Sequence, residues 1–337
     1  MPKAELHLHL DGSVLPETAL ELARSRGVDA PRSLSGMRAA LTAPAHGASQ
    51  AELLSAFDLP IALLQDAEAL ERVTRELVEV KAADGVRYLE IRWGPLLHTA
   101  RGLAAADVVA AVLRGAQAGA RGTGSEVRLI ATALRSHDPD ANAGLAHTVP
   151  GFLDRGVVGF DLAGPEEAFP DPLLHREAFE VAREAGLRIT LHAGEWGGAG
   201  QVRRALALRP ERIAHGPGAV ADPGLCAELI RRGVTLDLCP TSNVQAGIVP
   251  SVAAHPLAVL HRRGVSVTLS TDDLTVSDIS LSQEYARALD EIGLRPDELW
   301  AINRRSLAVA FAPERVLAPL RAEFDAWAAA TSAVARP

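Results

Sequence analysis

Short runs rich in β-branched and other apolar residues recur along the chain, and each is followed by a longer stretch with helical spacing. In one such stretch Leu70, Val73, Leu77 and Val80 fall on one face of a helix. The apolar runs predict eight strands, at residues 5–10, 86–93, 127–133, 157–162, 188–192, 212–215, 234–239 and 265–271. The patterns between them predict the intervening helices.

The alternation of strand and helix predicts a parallel sheet covered by helices, and eight strands are the number that closes a (β/α)8 TIM barrel. An open doubly wound sheet is the alternative, but no Gly-x-Gly-x-x-Gly motif follows the first strand. A length of 337 residues fits one α/β barrel with insertions. We therefore expect residues 1–337 to form a single domain.

The segment between the first two predicted strands, residues 11–85, is too long for one helix. It contains a Pro/Gly/Ala-rich piece at 31–47 and at least two helical patterns. We expect extra helices here, inserted after the first strand and lying over the mouth of the barrel. The pattern is equally compatible with a lid that moves and with a plain structural insertion.

The charge and the cysteine content of the chain argue against nucleic-acid binding and against a disulfide-stabilised fold. The formal charge is −8, with 34 basic and 42 acidic side chains that are scattered along the chain. A nucleic-acid backbone needs clustered Lys and Arg, so we expect no nucleic-acid partner. The two cysteines, Cys226 and Cys239, provide neither a disulfide framework nor a four-thiolate metal site. This cysteine usage is typical of a reducing compartment.

The beginning of the chain lacks the charged region and long apolar run of a secretory signal. Charged residues also interrupt every apolar stretch before it reaches membrane-spanning length. We therefore expect a cytoplasmic protein that does not bind a membrane. The oligomeric state stays open, and a homo-oligomer is compatible with the sequence.

The candidate chemistry lies at the carboxyl ends of the predicted strands, where the active sites of such barrels are found. The polar residues at these ends are His7, His9, His192, His215, Asp272 and Asp273. Three imidazoles and one carboxylate, from His7, His9, His192 and Asp272, suit a catalytic divalent transition metal and favour zinc. Zinc lowers the pKa of a bound water to about 7, which makes hydroxide available at neutral pH.

Two further residues are candidates for proton transfer. His215 is not needed to complete the metal shell, and it ends a neighbouring strand, where it can take or hold the proton of the water. Glu195 follows His192 after a glycine that lets the chain turn. A carboxyl group in a dry pocket has a raised pKa, so Glu195 can deliver a proton to the substrate.

Seven segments of the chain, taken in order, resemble the adenosine deaminase family of the metal-dependent amidohydrolase-type barrels. They are His-Leu-His-Leu-Asp-Gly-Ser (7–13), Asp-Gly-Val-Arg-Tyr-Leu-Glu-Ile-Arg (84–92), Asp-Leu-Ala-Gly (161–164), His-Ala-Gly-Glu (192–195), Arg-Ile-Ala-His-Gly (212–216), Cys-Pro-Thr-Ser-Asn (239–243) and Ser-Thr-Asp-Asp (270–273). Any one segment is modest evidence, whereas seven in order cover nearly the whole chain.

The resemblance implies the removal of the 6-amino group of a purine nucleoside, such as adenosine or deoxyadenosine, with one zinc ion per chain. Glu195 protonates the ring nitrogen N1 and makes C6 electrophilic. His215 and Asp273 position the hydroxide that adds to C6, after which ammonia leaves. His7, His9, His192 and Asp272 are the implied zinc ligands.

The resemblance also implies which residues contact the substrate. They are His9, Asp11, Gly164 and Asp273, with Asp273 bonding purine N7, the Gly164 backbone facing N3 and Asp11 receiving a ribose hydroxyl. Adenine deaminases similar to this family tend to carry Glu at the position of Asp11. Asp therefore favours a nucleoside, although one methylene in a pocket contributes only about 1–3 kcal/mol.

The chain departs from the family pattern at three places. The residues 274–277 follow the Asp-Asp pair in place of the usual Pro, and Pro165 precedes Glu166 where an acidic residue is usual. Trp196 and two glycines give the loop after Glu195 its own character. These departures bear on the sugar and its 5′ side. A 5′-modified adenosine such as 6-aminodeoxyfutalosine, and free adenine, are therefore alternative substrates.

Two remoter interpretations stay open. Other amidohydrolase barrels commonly bridge a second metal with a carboxylated Lys or a Glu at the fourth strand, and residues 157–162 contain no Lys. A non-catalytic binding barrel would be expected to have lost part of the site, whereas all the candidate residues are present. The separate zinc deaminase class is excluded because the chain has no Cys-x-x-Cys motif.

Overall fold

A computed structural model describes residues 1–334, and the last three residues of the expected domain, 335–337, lie outside the described residues. Its strands are β1 (Lys3–His9), β2 (Val86–Trp93), β3 (Glu126–Leu134), β4 (Val157–Ala163), β5 (Arg188–His192), β6 (Arg212–Ala214), β7 (Thr235–Leu238) and β8 (Ser266–Leu269). All eight predicted strands are confirmed, with ends that differ by at most two residues.

The helices lie between and after the strands, as the sequence predicts, and short 3₁₀ turns join some of them. They are α1 (Pro16–Arg26), α2 (Leu34–Leu41), α3 (Gln50–Ser55), α4 (Asp58–Leu63), α5 (Ala67–Ala83), α6 (Ala105–Thr123), α7 (Pro139–Thr148), α8 (Arg176–Glu184), α9 (Gly198–Ala205), α10 (Pro223–Arg232), α11 (Pro240–Gln245), α12 (Leu257–Arg262), α13 (Leu281–Asp290), α14 (Pro296–Val309) and α15 (Glu314–Val334). Within residues 1–334, every helix is too short or too polar to cross a membrane.

The eight strands are parallel and neighbour one another in sequence order from β1 to β8. The two ends of this sheet meet beyond β8. There the Asp272 N–H donates to the His7 carbonyl at 3.1 Å, and the His9 N–H donates to the Asp272 carbonyl at 2.7 Å. The predicted (β/α)8 barrel is therefore confirmed, and its closing contact lies at candidate metal ligands.

In helix α5 most of the apolar positions that the sequence places on one face are buried. The Asp66 carboxylate accepts a hydrogen bond from Ala69 N at 2.9 Å, which caps the first turn. Leu70, Val73 and Leu77 are buried in one hydrophobic cluster that also contains Leu89 of β2. The helix therefore covers the outside of the sheet with the face that the periodicity predicts.

The insertion after β1 consists of α1 to α5, so the expected extra helices are present. The segment that includes α3 and α4 reaches the carboxyl ends of the strands. There Leu53, Phe57 and Ile61 line a cavity. The insertion thus forms one wall of the barrel mouth.

The interior of the barrel holds a buried charged network centred on Arg212. Its guanidinium pairs with Glu90 and donates to Asp237 at 3.1 Å, and all three side chains are fully buried. Glu90 also accepts hydrogen bonds from the hydroxyl of Tyr88 at 2.7 Å and from Phe311 N at 2.6 Å. Glu90 therefore satisfies three donors that water cannot reach.

We expect Glu90→Gln to lower the free energy of unfolding by about 3 kcal/mol or more, because it leaves Arg212 short of a buried counter-charge. The matched control is Glu323→Gln, which breaks the exposed ion pair with Arg87 and should cost less than about 1 kcal/mol. Urea unfolding of both variants measures the difference. Equal losses would contradict this account of the network.

Candidate active site

A cavity of about 320 Å³ lies at the carboxyl ends of the strands. The sequence-predicted residues that line it are His9, Asp11, Gly164, His192, Glu195, His215, Asp272 and Asp273. His7 lies beside these residues and is fully buried. The structure therefore brings all nine predicted site residues together at the barrel mouth.

Three imidazoles and a carboxylate converge in this cavity. His7 Nε2 lies 3.3 Å from His9 Nε2, which lies 3.1 Å from His192 Nε2. Asp272 Oδ1 is 2.9 Å from His7 Nε2 and 3.5 Å from His9 Nε2. One ligand atom from each residue falls within 4.8 Å of all the others.

This donor set fits a divalent transition metal. Ligands bound about 2.0–2.1 Å from a tetrahedral zinc lie about 3.3–3.4 Å from one another. The four nitrogen and oxygen separations of 2.9–3.5 Å bracket that value. Without a cation, three ring nitrogens and a carboxylate would crowd one buried space, so the cluster has the geometry of a metal site.

Neighbouring polar groups orient two members of the cluster. His192 Nδ1 lies 3.1 Å from the Asp161 carboxylate, which leaves the His192 Nε2 lone pair free for the cluster. Burial alone would raise the pKa of Asp161, but His192 and Arg92 lower it below its usual value, so it is ionised. Ser242 Oγ donates to Asp272 Oδ2 at 2.6 Å, which leaves Oδ1 to face the histidines.

The backbone is strained where β6 and β8 end. His215 has φ = 67° and Asp272 has φ = 69°, in the left-handed region that non-glycine residues seldom adopt. Such conformations cluster at functional sites, where the surrounding structure holds them in place. Both residues turn their side chains into the cavity as a result.

Glu195 is buried at the cavity wall, with 8% of the residue exposed. Burial raises its pKa well above the usual value, and the nearby carboxylates of Asp272, Glu166 and Asp273 raise it further. A carboxyl group in this environment keeps its proton to a higher pH than usual and can donate it. The geometry therefore suits a general acid.

Asp273 is the second carboxyl group with an elevated pKa. Burial raises it well above the usual value, and Asp272 and Asp11 contribute in the same direction. Its Oδ1 is buried and has no hydrogen-bond partner among the residues that the structure describes. A side chain on Gly12 would place a Cβ 1.7 Å from that oxygen, so only glycine permits this approach. Asp273 thus lines the cavity and packs one carboxyl oxygen closely against Gly12.

His215 faces two of these groups. Its Nε2 lies 3.7 Å from Glu195 Oε1 and 3.8 Å from Asp272 Oδ2. Burial lowers the pKa of His215 to about 3. The neutral imidazole is therefore placed between the candidate proton donor and the metal cluster.

Asp11 and Gly164 also line the cavity. Asp11 Oδ1 is 2.7 Å from His98 Nε2, and its Oδ2 accepts from Gly94 N at 3.2 Å. A carboxylate has about four lone-pair sites, so Asp11 can still accept a substrate hydroxyl. Gly164 has φ = 104°, a conformation that favours glycine.

The family profile of adenosine deaminase matches residues 2–327. The chain belongs to the adenosine deaminase family. The adenosine deaminase of Enterococcus faecalis is 35% identical over 311 residues, which cover 92% of each chain. The resemblance seen in the seven segments is confirmed.

Solved structures related to this adenosine deaminase family member have several activities. An adenine deaminase from Arthrobacter aurescens superposes with a TM-score of 0.88 at 29% identity, covering 97% of this chain and 99% of that one. An amidohydrolase from Burkholderia ambifaria with bound Zn gives 0.88 at 28%, covering 99% and 93%. The N6-mAMP deaminase of Arabidopsis gives 0.85 at 30%, covering 97% and 98%.

One buried carboxylate in this site, that of Glu166, was not among the site residues predicted from the sequence. Glu166 Oε1 accepts from Gly194 N, and its Oε2 accepts from Trp196 N and Gly197 N, all at 2.8 Å. These three donors flank Glu195 on both sides. In the sequence Glu166 is notable only as the residue after Pro165, because its hydrogen-bond partners lie about 30 residues away. Glu166 therefore anchors the loop that carries Glu195.

We expect Glu166→Gln to lower kcat about tenfold or more, because an amide has one acceptor oxygen and turns N–H groups toward backbone donors. Losing one or two hydrogen bonds to a charged group costs about 1.5–3 kcal/mol each. The control is Glu167→Gln, which changes the next residue along the chain, an exposed glutamate. Steady-state kinetics of both variants at matched metal content measure the difference. Full kcat in Glu166→Gln would contradict the anchoring role.

Proposed function

We propose that the chain catalyses zinc-dependent hydrolytic deamination of a 6-aminopurine nucleoside, adenosine or deoxyadenosine, to the 6-oxo product and ammonia. One domain and one zinc ion per chain would carry the reaction. The observation that supports this most strongly is the placement of Glu195 in one cavity with the His7, His9, His192 and Asp272 cluster. A buried proton donor beside a metal cluster suits addition of water to a purine ring.

The proposed roles follow from the chemistry of each side chain. His7, His9, His192 and Asp272 would hold the ion, which when bound supplies a nucleophilic water at neutral pH by lowering the pKa of that water to about 7. Glu195, protonated in its buried position, delivers a proton to N1 of the purine, so that C6 accepts the oxygen. His215 faces the same space and holds the attacking water.

Other groups would orient the purine and its sugar. Asp273, with its elevated pKa, carries a proton and can donate to N7, an acceptor. The positive φ of Gly164 brings the backbone close to N3 without a side chain in the way. Asp11 has remaining lone pairs for a ribose hydroxyl, which supports a nucleoside over the free base.

The charge of the cavity favours a nucleoside over a nucleotide. Among the described residues, the cavity lining includes Asp11, Asp58, Glu195, Asp272 and Asp273 but no Lys or Arg. Arg135 lies close by, but its guanidinium is buried and donates to the carbonyls of His192 and Phe169. A phosphate at the 5′ position would therefore meet carboxylates without a counter-charge.

A deamination screen tests the proposed function. Ammonia release would be measured with adenosine, deoxyadenosine, adenine, 6-aminodeoxyfutalosine and AMP, and kcat/KM compared. We expect turnover of at least one unphosphorylated nucleoside and a kcat/KM for AMP at least about 100-fold below that for adenosine, since an unpaired buried charge costs about 3 kcal/mol or more. Faster turnover of AMP would overturn the nucleoside assignment, and no turnover of any compound would overturn the deaminase.

A further inference from the structure

Behind His215, on the side away from the cavity, a chain of buried side chains leads to a backbone N–H group. Leu257 N donates to His255 Nδ1 at 3.2 Å. His255 Nε2 lies 3.1 Å from Asn243 Oδ1, and Asn243 Nδ2 lies 3.1 Å from His215 Nδ1. Asn243 is fully buried and the two histidines are at most 3% exposed, so water does not compete for these partners.

The backbone N–H of Leu257 determines which atom donates and which accepts in every hydrogen bond of this series. A backbone N–H can only donate, so His255 Nδ1 must carry a lone pair. Burial lowers the pKa of His255 to about 3, so the ring is neutral and its one proton is on Nε2. That N–H donates to Asn243 Oδ1, which turns the amide nitrogen of Asn243 toward His215. A flipped amide would set two N–H groups against each other.

We propose that His255 and Asn243 are positioning residues that hold His215 as its Nε2–H tautomer. Because the Asn243 amide donates to His215 Nδ1, the proton of the neutral ring is on Nε2, the atom that faces Glu195 and Asp272. His215 therefore meets the oxygen of the attacking water as a hydrogen-bond donor and does not act as its base. This catalytic part of the inference rests on the proposed function.

Helix α11, which begins two residues after β7 ends, carries two such positioning side chains. Ser242 and Asn243 are consecutive residues of this helix, and they orient Asp272 and His215 respectively. One short helix thus fixes a metal-cluster carboxylate and the neighbouring imidazole together. In enzymes that depend on a histidine tautomer, a partner of the wrong kind leaves the geometry intact and still lowers kcat by up to about 10⁴-fold.

The test is a near-isosteric exchange of donor for acceptor. Asn243→Asp places a carboxylate oxygen opposite His215 Nδ1, which draws the ring proton to that nitrogen. Histidine ¹⁵N NMR of the zinc-loaded protein, assigned with a His215→Gln spectrum, reports which nitrogen is protonated. We expect Nε2–H in the unchanged protein and Nδ1–H in Asn243→Asp. At a pH where the spectrum shows the neutral Nδ1–H form, kcat should be lower by about 100-fold, the scale for loss of one donor.

Two further variants separate the tautomer from other effects. His255→Gln keeps an N–H donor for Asn243 Oδ1 and should retain the Nε2–H tautomer and kcat within about threefold. Gln245→Glu adds a negative charge to the same buried helix without touching His215 and should also leave the tautomer unchanged. An Nδ1 proton in the unchanged protein, or a switched tautomer with unchanged kcat, would overturn the proposal. The NMR spectra do not depend on catalysis. If the proposed deaminase function were wrong, they would still show which nitrogen of His215 is protonated.

Discussion

Replacement of Glu195 by Gln is expected to lower kcat more than about 100-fold, within the range of about 10²–10⁴ for general acid catalysis. The amide keeps the size of the side chain and its place in the cavity wall but has no acidic proton to give to N1. The buried position raises the pKa of Glu195 and so favours the protonated form that can give up this proton. Because the groups that we propose to contact the substrate are unchanged, KM should change much less than kcat.

The fold and the metal content of Glu195→Gln should match those of the unchanged protein, since Glu195 belongs to neither the metal cluster nor the buried network around Arg212. Elemental analysis and a thermal unfolding curve check both points. The exposed Glu167→Gln variant serves again as the control for loss of a glutamate near this loop. Full kcat in Glu195→Gln at normal metal content would refute its role as the proton donor.

Asp272→Asn is expected to abolish tight metal binding and to lower activity by about 10³-fold or more, because a metal in such a site contributes several kcal/mol to catalysis. The amide removes the only negative charge among the four cluster residues. Asn tolerates the left-handed backbone that Asp272 adopts, so the substitution adds little strain. Metal content after gel filtration and kcat measured in the same sample give both effects.

Asp278→Asn is the matched control for this second substitution. Asp278 also has a positive φ, of 47°, but its side chain is 61% exposed and pairs with Arg38 at the surface. Its exchange should leave metal content and kcat unchanged. If Asp272→Asn kept a full equivalent of metal and normal activity, Asp272 could not be a ligand.

The barrel was predictable because each strand and helix is marked by the pattern of apolar residues within its own segment. Most strand residues are buried and many of them are apolar, as in β4, where all seven residues are buried and Asp161 is the one charged residue. The ends of the strands were predicted less well than their centres. The predicted strand 234–239, for example, is reduced to Thr235–Leu238, because its last residue already precedes α11.

The residues brought together in the site were predictable for a topological reason. In a parallel barrel the carboxyl ends of all strands share one rim, so His192 and Asp272 meet although 80 residues separate them. The groups that hold these residues in place gave no such signal. Glu166 and His255 act through backbone donors and amide groups on loops, and their partners are set by how those loops fold.

The insertion after β1 could be predicted in part from the sequence. Helical spacing predicted that residues 11–85 contain helices, and the structure shows α1 to α5 there. Which of them would face the cavity depends on how the segment around α3 and α4 folds back over the barrel. Phe57 of the insertion and Trp196 of the Glu195 loop both pack against one hydrophobic cluster that includes Leu53 and Ala56.

The central claim is that imidazoles from β1 and β5 and a carboxylate after β8 surround one ion. Crystals of the zinc-loaded protein, measured with X-rays on both sides of the zinc absorption edge, test this claim most directly. We predict one anomalous peak per chain, enclosed by the Nε2 atoms of His7, His9 and His192 and by the Asp272 carboxylate. A peak bound by other residues, or no peak among these four side chains, would contradict it.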